Sequence, residues 1–375
     1  MREKTSLGMR FRAEAKVDFP RIDDFFEPIV ESIATHDMQV IRQNESCRVV
    51  TDIGLGMLEI GPGKLFLTVE ANDTASLNRL KYALYGPISF IAASEKPVIR
   101  WSGDDTGLTP FDELRVVKVA RTFLITPHMR RIVFAGEDLG RFDRIDQLHC
   151  RLIFQPRGTL RPEWPGLDAN GHIIWPEGRK LDTRVYTIRA INAAKGEVTI
   201  DFALHPKAGP ATRWAMEAGP GDIIGMVGPA ANGLEQAEFY VFAGDETALP
   251  GIARMMEALV RSATGHAFIE VDSPDDVPDL HFPPGITVNW LFRNGKPAGT
   301  TSLLEEAVRN VSWPADLSSV FFWGGCEHKA FRKIHRLLRH ERGLPRERMV
   351  FYSHWHRSLS EEQIIAEGAT AYLPE

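Results

Sequence analysis

Two arginines and a tyrosine share one short stretch, Arg184, Tyr186 and Arg189 within Arg-Val-Tyr-Thr-Ile-Arg. Its alternation reads as a β-strand, with successive side chains on opposite faces. β-branched and apolar residues are routine in such a strand, whereas cations around an aromatic suit a flat, phosphate-bearing ligand. Tyr186 can lie against a ring, Thr187 can hydrogen-bond its edge, and Arg184 and Arg189 can fork onto phosphate oxygens. In an ideal strand Arg189 faces away from Arg184, so both reach one ligand only where the strand ends or bends. Solvated arginines on an exposed strand account for these six residues equally well.

The segments that follow narrow the choice. After a turn at Lys195-Gly196, residues 197–205 alternate again and end Asp201-Phe202-Ala203-Leu204-His205. Gly209-Pro210-Ala211-Thr212-Arg213-Trp214 then opens a helix whose first N–H groups suit a phosphate. Gly219-Pro220-Gly221-Asp222 makes a tight turn into a further strand over 223–229. Arg-x-Tyr-Thr-x-Arg, Asp-Phe-x-Leu-His, Gly-Pro-Ala-x-x-Trp-Ala and Pro-Gly-Asp together resemble the flavin-binding barrel of the siderophore-interacting (ferric-siderophore reductase) family. The resemblance implies FAD held by Arg184, Tyr186, Thr187 and Arg189. It puts Asp201, His205 and the helix start at Gly209, Ala211, Thr212 and Trp214 around the pyrophosphate and adenosine.

Beyond Pro229 the periodicity changes. Phe239-Tyr240-Val241-Phe242-Ala243 is an apolar run of the buried parallel type, and later strands alternate with helices. Ligands of such sheets bind beyond the carboxyl ends of the strands. Three turns fall there. Gly-Asp-Glu-Thr-Ala-Leu-Pro, carrying Asp245, Glu246, Thr247 and Ala248, matches a motif of the same family, which favours a nucleotide role over a plain helix cap. Gly325 and Glu327 match a family turn in which Cys326 is an insertion; the lone thiol itself reads as inert. Trp355 matches a segment that lies beside the flavin ring in the family, with Arg357 a weaker match and His354 standing where tyrosine is usual. Arg293 follows the third strand, where it can meet the ribose or 2′-phosphate of a nicotinamide cofactor, or simply be solvated. No Gly-x-Gly-x-x-Gly is present, as is also true of ferredoxin-reductase-type domains.

These residues need elements to position them. The chain of 375 residues has room for two or three cores. Residues 8–104 read as an α+β accessory domain, two helices over a small antiparallel sheet, resembling an uncharacterised domain found joined to this family. His36 at its first helix end is a cap in preference to a ligand. A polar linker over 103–110 leads to an antiparallel flavin-binding β-barrel over 112–233. An α/β ferredoxin-reductase-like domain, binding NAD(P)H, occupies 234–375. The loop over 156–179 either lines the substrate mouth or is a surface excursion.

A net charge of −6 disfavours bulk nucleic-acid or anionic-membrane binding. No apolar run is long enough to cross a bilayer, and no signal core opens the chain, so the cytoplasm is expected. Cys47, Cys150 and Cys326 are isolated and fit reduced thiols. The 12 histidines show no metal-ligand spacing, and His328, His335 and His340 read as a solvated helix face. No protein-bound metal is expected; iron would arrive as the substrate's chelate.

The resemblance implies a ferric-siderophore reductase that passes electrons from NAD(P)H, or from a donor protein such as ferredoxin, through FAD to chelated Fe(III). Two other readings stay open: a general flavin oxidoreductase with another acceptor, and a non-enzymatic siderophore-binding protein.

Overall fold

The computed structural model describes residues 10–34, 38–43, 46–104, 106–111, 113–159, 161–205 and 209–367; His36 lies outside them. Two compact units divide the chain. One holds the residues up to Leu114 together with Gly158–Leu181, and the other holds Arg115–Arg157 and Asp182–Glu361.

The first unit runs β1 (Phe11–Asp18), α1 (Ile22–Ala34), β2 (Gln39–Gln43), β3 (Ser46–Val50), β4 (Gly54–Gly61), β5 (Lys64–Ala71), α2 (Thr74–Ile91), β6 (Trp101–Gly103) and β7 (Thr109–Pro110). The first six strands form an antiparallel sheet in the order β2-β3-β4-β5-β1-β6. Alternation builds its inner face: Ala13, Ala15 and Val17 of β1 are buried, and their neighbours are exposed. Ile22, Phe26, Ile29 and Ile33 supply the matching stripe on α1. Asp73 caps α2 by accepting from the Ser76 N–H at 2.8 Å. The expected α+β arrangement is thus present.

The second unit begins as a barrel: β8 (Arg115–Thr126), β9 (Met129–Gly136) and β10 (Gln147–Phe154). An insertion carrying β11 (Gly166–Leu167) and β12 (Ile173–Ile174) then belongs to the first unit, where β12-β11-β7 make a small sheet. Lys81 on α2 anchors the insertion by donating from Nζ to the Ala169 carbonyl at 2.8 Å. The segment read as a loop is therefore part of the N-terminal unit's fabric. The 103–110 linker is likewise tied down, with Thr109 buried and accepting from Asn78 at 3.2 Å.

The barrel resumes with β13 (Asp182–Asn192), β14 (Glu197–Ala203), α3 (Pro210–Glu217) and β15 (Ile223–Asn232), closing in the order β10-β13-β14-β9-β8-β15. The chain goes on through β16 (Phe239–Gly244), α4 (Leu249–Ala258), β17 (Thr264–Val271), β18 (Gly285–Phe292), α5 (Leu303–Arg309), β19 (Val320–Glu327), α6 (His328–Arg336) and β20 (Met349–Trp355). The last five strands lie parallel as β18-β17-β16-β19-β20. Strand β19, flanked by β16 and β20 and buried along its whole length, is the kind of strand that a sheet covered on both faces requires.

Candidate functional site

Strand β13 carries the opening cluster. Tyr186 and Ile188 turn to the barrel interior, where Tyr186 packs on Phe202 with ring centroids 4.4 Å apart. Half-buried Arg184 donates to the Thr183 carbonyl at 2.7 Å. The register against β14 shifts between Ile188 and Ala190, so the strand does bend at Arg189. That bend does not bring the two arginines together. Arg189 is 9% exposed and forms a bidentate pair with Glu257 of α4 at 2.6 and 2.8 Å. In place of a phosphate-facing cation, the structure has a clamp between barrel and helix. Arg254, one turn earlier, reinforces it by donating to the barrel carbonyls of Ile188, Phe142 and Arg144 at 3.0, 3.2 and 2.9 Å.

Asp201 is also committed: buried on β14, it takes a two-pronged pair from Arg131 at 2.7 Å on each oxygen. On α3, Pro210 follows Gly209 at the helix start. Ala211 and Thr212 are buried, and Trp214 stacks over Phe134 at 6.2 Å, so this helix plugs the barrel. Exposed His205 stands 3.4 Å from the Thr212 hydroxyl.

The carboxyl edge of the parallel sheet is organised by Asp245, 4% exposed. Its Oδ1 accepts from the Thr247 N–H at 2.9 Å and the Thr247 hydroxyl at 2.6 Å. Its Oδ2 accepts from the Trp355 indole at 2.8 Å and the Glu327 N–H at 3.2 Å. Glu327, also buried, caps α6 through Lys329 N–H at 2.6 Å and accepts from Arg357 N–H at 3.2 Å. Ala248 packs against Gly244, where a Cβ would collide with it. The expected residues Asp245, Thr247, Ala248, Gly325, Glu327 and Trp355 are thus brought together.

Arg293 differs from expectation. It is 7% exposed and turned inward, bonded to Glu246 with Glu270 at 3.7 Å. Buried carboxylates without a cation would be costly, and this arginine serves them instead of solvent. Burial raises Glu246, and burial also raises Glu270, to about 7, even though Thr301 donates to it at 2.7 Å. Burial pushes the Cys326 thiol well above its ordinary value, with Asp245 and Glu327 adding to the effect, so it stays protonated and inert.

Two histidines complete the edge: His354, noted in the sequence as standing where tyrosine is usual, and His149, which the sequence did not single out. The β19–β20 register pairs Cys326 with Ser353 but Glu327 with Trp355, which leaves His354 as the extra residue of a bulge. Its ring lies over Gly325, where any Cβ would strike it, and its Nδ1 is 3.0 Å from the Thr247 hydroxyl. His149 of β10, paired in register with Thr187, stands edge-to-face against His354 at 5.6 Å and stacks on Trp323 at 6.3 Å. His149 Nδ1 and His354 Nε2 are both buried without a hydrogen-bond partner. Burial, with the neighbouring His354 as a lesser cause, lowers His149 to about 3. A polar residue in an otherwise buried strand, Gln147-Leu148-His149-Cys150, was the available signal for His149.

The helix read as a solvated face is only partly so. His328 is 5% exposed, bonded to Ser353 at 3.1 Å and stacked on His356 at 4.8 Å, because α6 packs on β20; His340 is exposed as expected. Among the described residues one trio, His128, Asp272 and Asp276, gathers metal-type atoms within 4.8 Å, and His128 is already paired to Asp276 at 2.9 Å. No helix among them is long and apolar enough to cross a membrane.

Two orphaned ring nitrogens walled by Trp323 and Tyr352 suit a flat heteroaromatic group, so this junction of barrel and sheet fits a flavin or nicotinamide ring. Family comparisons bear on the same two elements. Residues 118–233 match the siderophore-interacting FAD-binding domain, and residues 237–358 match the siderophore-interacting protein domain. The ferric vibriobactin reductase ViuB of Vibrio cholerae is 28% identical over 252 residues, 66% of this chain and 91% of the relative. The NADPH-dependent ferric-chelate reductase of Escherichia coli is 30% identical over 253 residues, 66% and 93% of the respective chains. A siderophore utilization protein from T. fusca, solved by crystallography, superimposes with a TM-score of 0.60 at 35% identity, covering 68% of this chain and 96% of that one.

Proposed function

The chain belongs to the siderophore-interacting protein family, and on that premise we propose that it is an FAD-dependent ferric-siderophore reductase, moving electrons from NAD(P)H through FAD to chelated Fe(III). The observation that carries the reading is the family match across both the barrel and the parallel sheet. The bound flavin supplies the step no side chain can make, accepting a hydride and releasing electrons singly to iron. What the chain supplies is position. Arg184, Tyr186 and Thr187 line the β13 wall, and the α3 start with His205 and Thr212 takes the phosphates. Arg131 and Glu257 hold Asp201 and Arg189, which support the wall instead of touching the ligand. The Asp245–Thr247–Trp355 cluster receives the nicotinamide at the sheet edge. The ferric siderophore is the substrate, its iron not a resident of the protein. A protein donor such as ferredoxin, and residence in the cytoplasm, belong to the same proposal.

An anaerobic absorbance spectrum of the FAD-reconstituted protein tests it. Flavin bands should bleach with NADPH or NADH and return when a ferric siderophore is added. Bands that stay oxidised with both nucleotides would point to another donor. Return with a quinone but not with the chelate would overturn the substrate. Arg184→Ala with Tyr186→Ala should abolish flavin retention while the thermal melt stays cooperative; normal flavin content would overturn the assignment of β13.

A further inference from the structure

The bulge in β20 gives His354 a defined proton arrangement. The Thr247 hydroxyl has one proton, and it goes to Asp245 Oδ1, a carboxylate oxygen that can only accept. Toward His354 the same hydroxyl oxygen must therefore accept, so Nδ1 carries the imidazole proton. A neutral imidazole with Nδ1–H has a bare lone pair at Nε2. That atom is out of solvent and has no partner. Burial keeps the ring neutral, opposed by the charge of Asp245 and by the Thr247 backbone.

Geometry fixes where the lone pair sits. Gly325, by lacking a Cβ, lets the ring lie flat on the end of β19. The surrounding groups are flat: His149 at 5.6 Å, Tyr352 at 6.1 Å and Trp323 at 6.3 Å. His149 comes from the barrel strand that pairs with β13, so His354 is at the meeting of the barrel wall and the carboxyl edge of the sheet. A buried acceptor left unmet is costly unless a ligand donor completes it.

We propose that Asp245, Thr247 and His354 form a chain that presents His354 Nε2 as a hydrogen-bond acceptor for an N–H of the planar cofactor group, ring or carboxamide, bound at this junction. The inference rests on the reductase reading and deepens it by naming a residue that touches the cofactor. Flavin and nicotinamide carboxamide both offer such an N–H, and the test separates them.

His354→Phe keeps a flat ring over Gly325 but removes the acceptor; His354→Gln restores an oxygen acceptor. FAD would be titrated into apoprotein by flavin fluorescence, and NAD+ and NADP+ into holoprotein by difference absorbance, with a thermal melt on each variant. His354→Phe should weaken one ligand about tenfold, the size of one hydrogen bond, with His354→Gln recovering most of it. Loss on the FAD arm identifies the flavin N–H; loss on the nucleotide arm alone identifies the carboxamide. Thr247→Val leaves the ring in place but removes the oxygen that sets its tautomer, and should give part of the same loss even if His354→Phe melts early. Unchanged affinities in both His354→Phe and Thr247→Val, or a loss that His354→Gln shares in full, would overturn the proposal. Wild-type protein that binds no FAD would instead overturn the reductase reading, and this inference with it.

Discussion

The barrel wall and the carboxyl edge of the sheet treat buried charge in opposite ways. On the wall, two buried pairs match cation to carboxylate: Arg131 with Asp201 and Arg189 with Glu257, each bidentate. At the edge, Asp245, Glu246 and Glu270 crowd around a single Arg293, and two histidine nitrogens have no partner. The wall's two bidentate pairs are complete before any ligand arrives, whereas the edge and the barrel histidine facing it, His149, hold unmet hydrogen-bonding capacity and displaced pKa values. Such displacement gathers where chemistry is done. The difference separates arginines by what they already hold: Arg131 and Arg189 are each forked onto a carboxylate and brace the wall.

The largest expected effect comes from His149. Its folded pKa of about 3 lies below the unfolded value of 6.5. The unfolded chain therefore binds a proton that the folded one refuses, and the stability contributed above pH 6.5 is lost as pH falls toward 3. The loss reaches about 5 kcal/mol over that window. Urea denaturation from pH 7 down to 4 should show wild type falling faster than His149→Phe. Parallel acid limbs would mean that the edge is no more strained than the wall.

On the wall, Arg131→Ala strands the buried Asp201 carboxylate and should cost about 4 kcal/mol in urea denaturation at pH 7. Removing both partners, with Asp201→Leu added, should recover much of it, since the pair is self-contained. A double variant as unstable as the single one would show Asp201 coupled to more than Arg131 and would break the contrast.

Much of this was legible in the sequence because periodicity is local. Alternation in β1 and β13, the helical stripe of α1 and the apolar run of β16 predict the three architectures the structure contains. The residues of the Asp245 edge were legible too, because they sit in turns that follow strands. Their partners were not. Arg189 finds Glu257 68 positions away and Arg131 finds Asp201 70 away, and no spacing rule connects them. His354 acquires its role from a register slip between β19 and β20, which is a property of pairing and not of either strand alone. The strands of the 158–181 insertion are two residues each, too short for any period to register.

The smallest effect separates the edge from the wall by the sign of its pH dependence. Glu270 has a folded pKa of about 7 against 4.5 for an ordinary glutamate, chiefly because it is buried. Between those values the folded chain keeps a proton that the unfolded chain has released, so stability falls as pH rises through the window and levels off above 7. The loss is about 3 kcal/mol. Glu270→Gln cannot ionise, so its stability should hold where the wild type declines, and the curves should diverge from pH 5 to 7 with the variant the more stable at pH 7.5. His149 weakens the fold on the acid side and Glu270 toward neutrality, so the edge and the barrel strand facing it are under strain at both ends of that range. Should Glu270→Gln follow wild type across pH 5 to 7, Arg293 neutralises all three carboxylates, and the edge is as balanced as the wall.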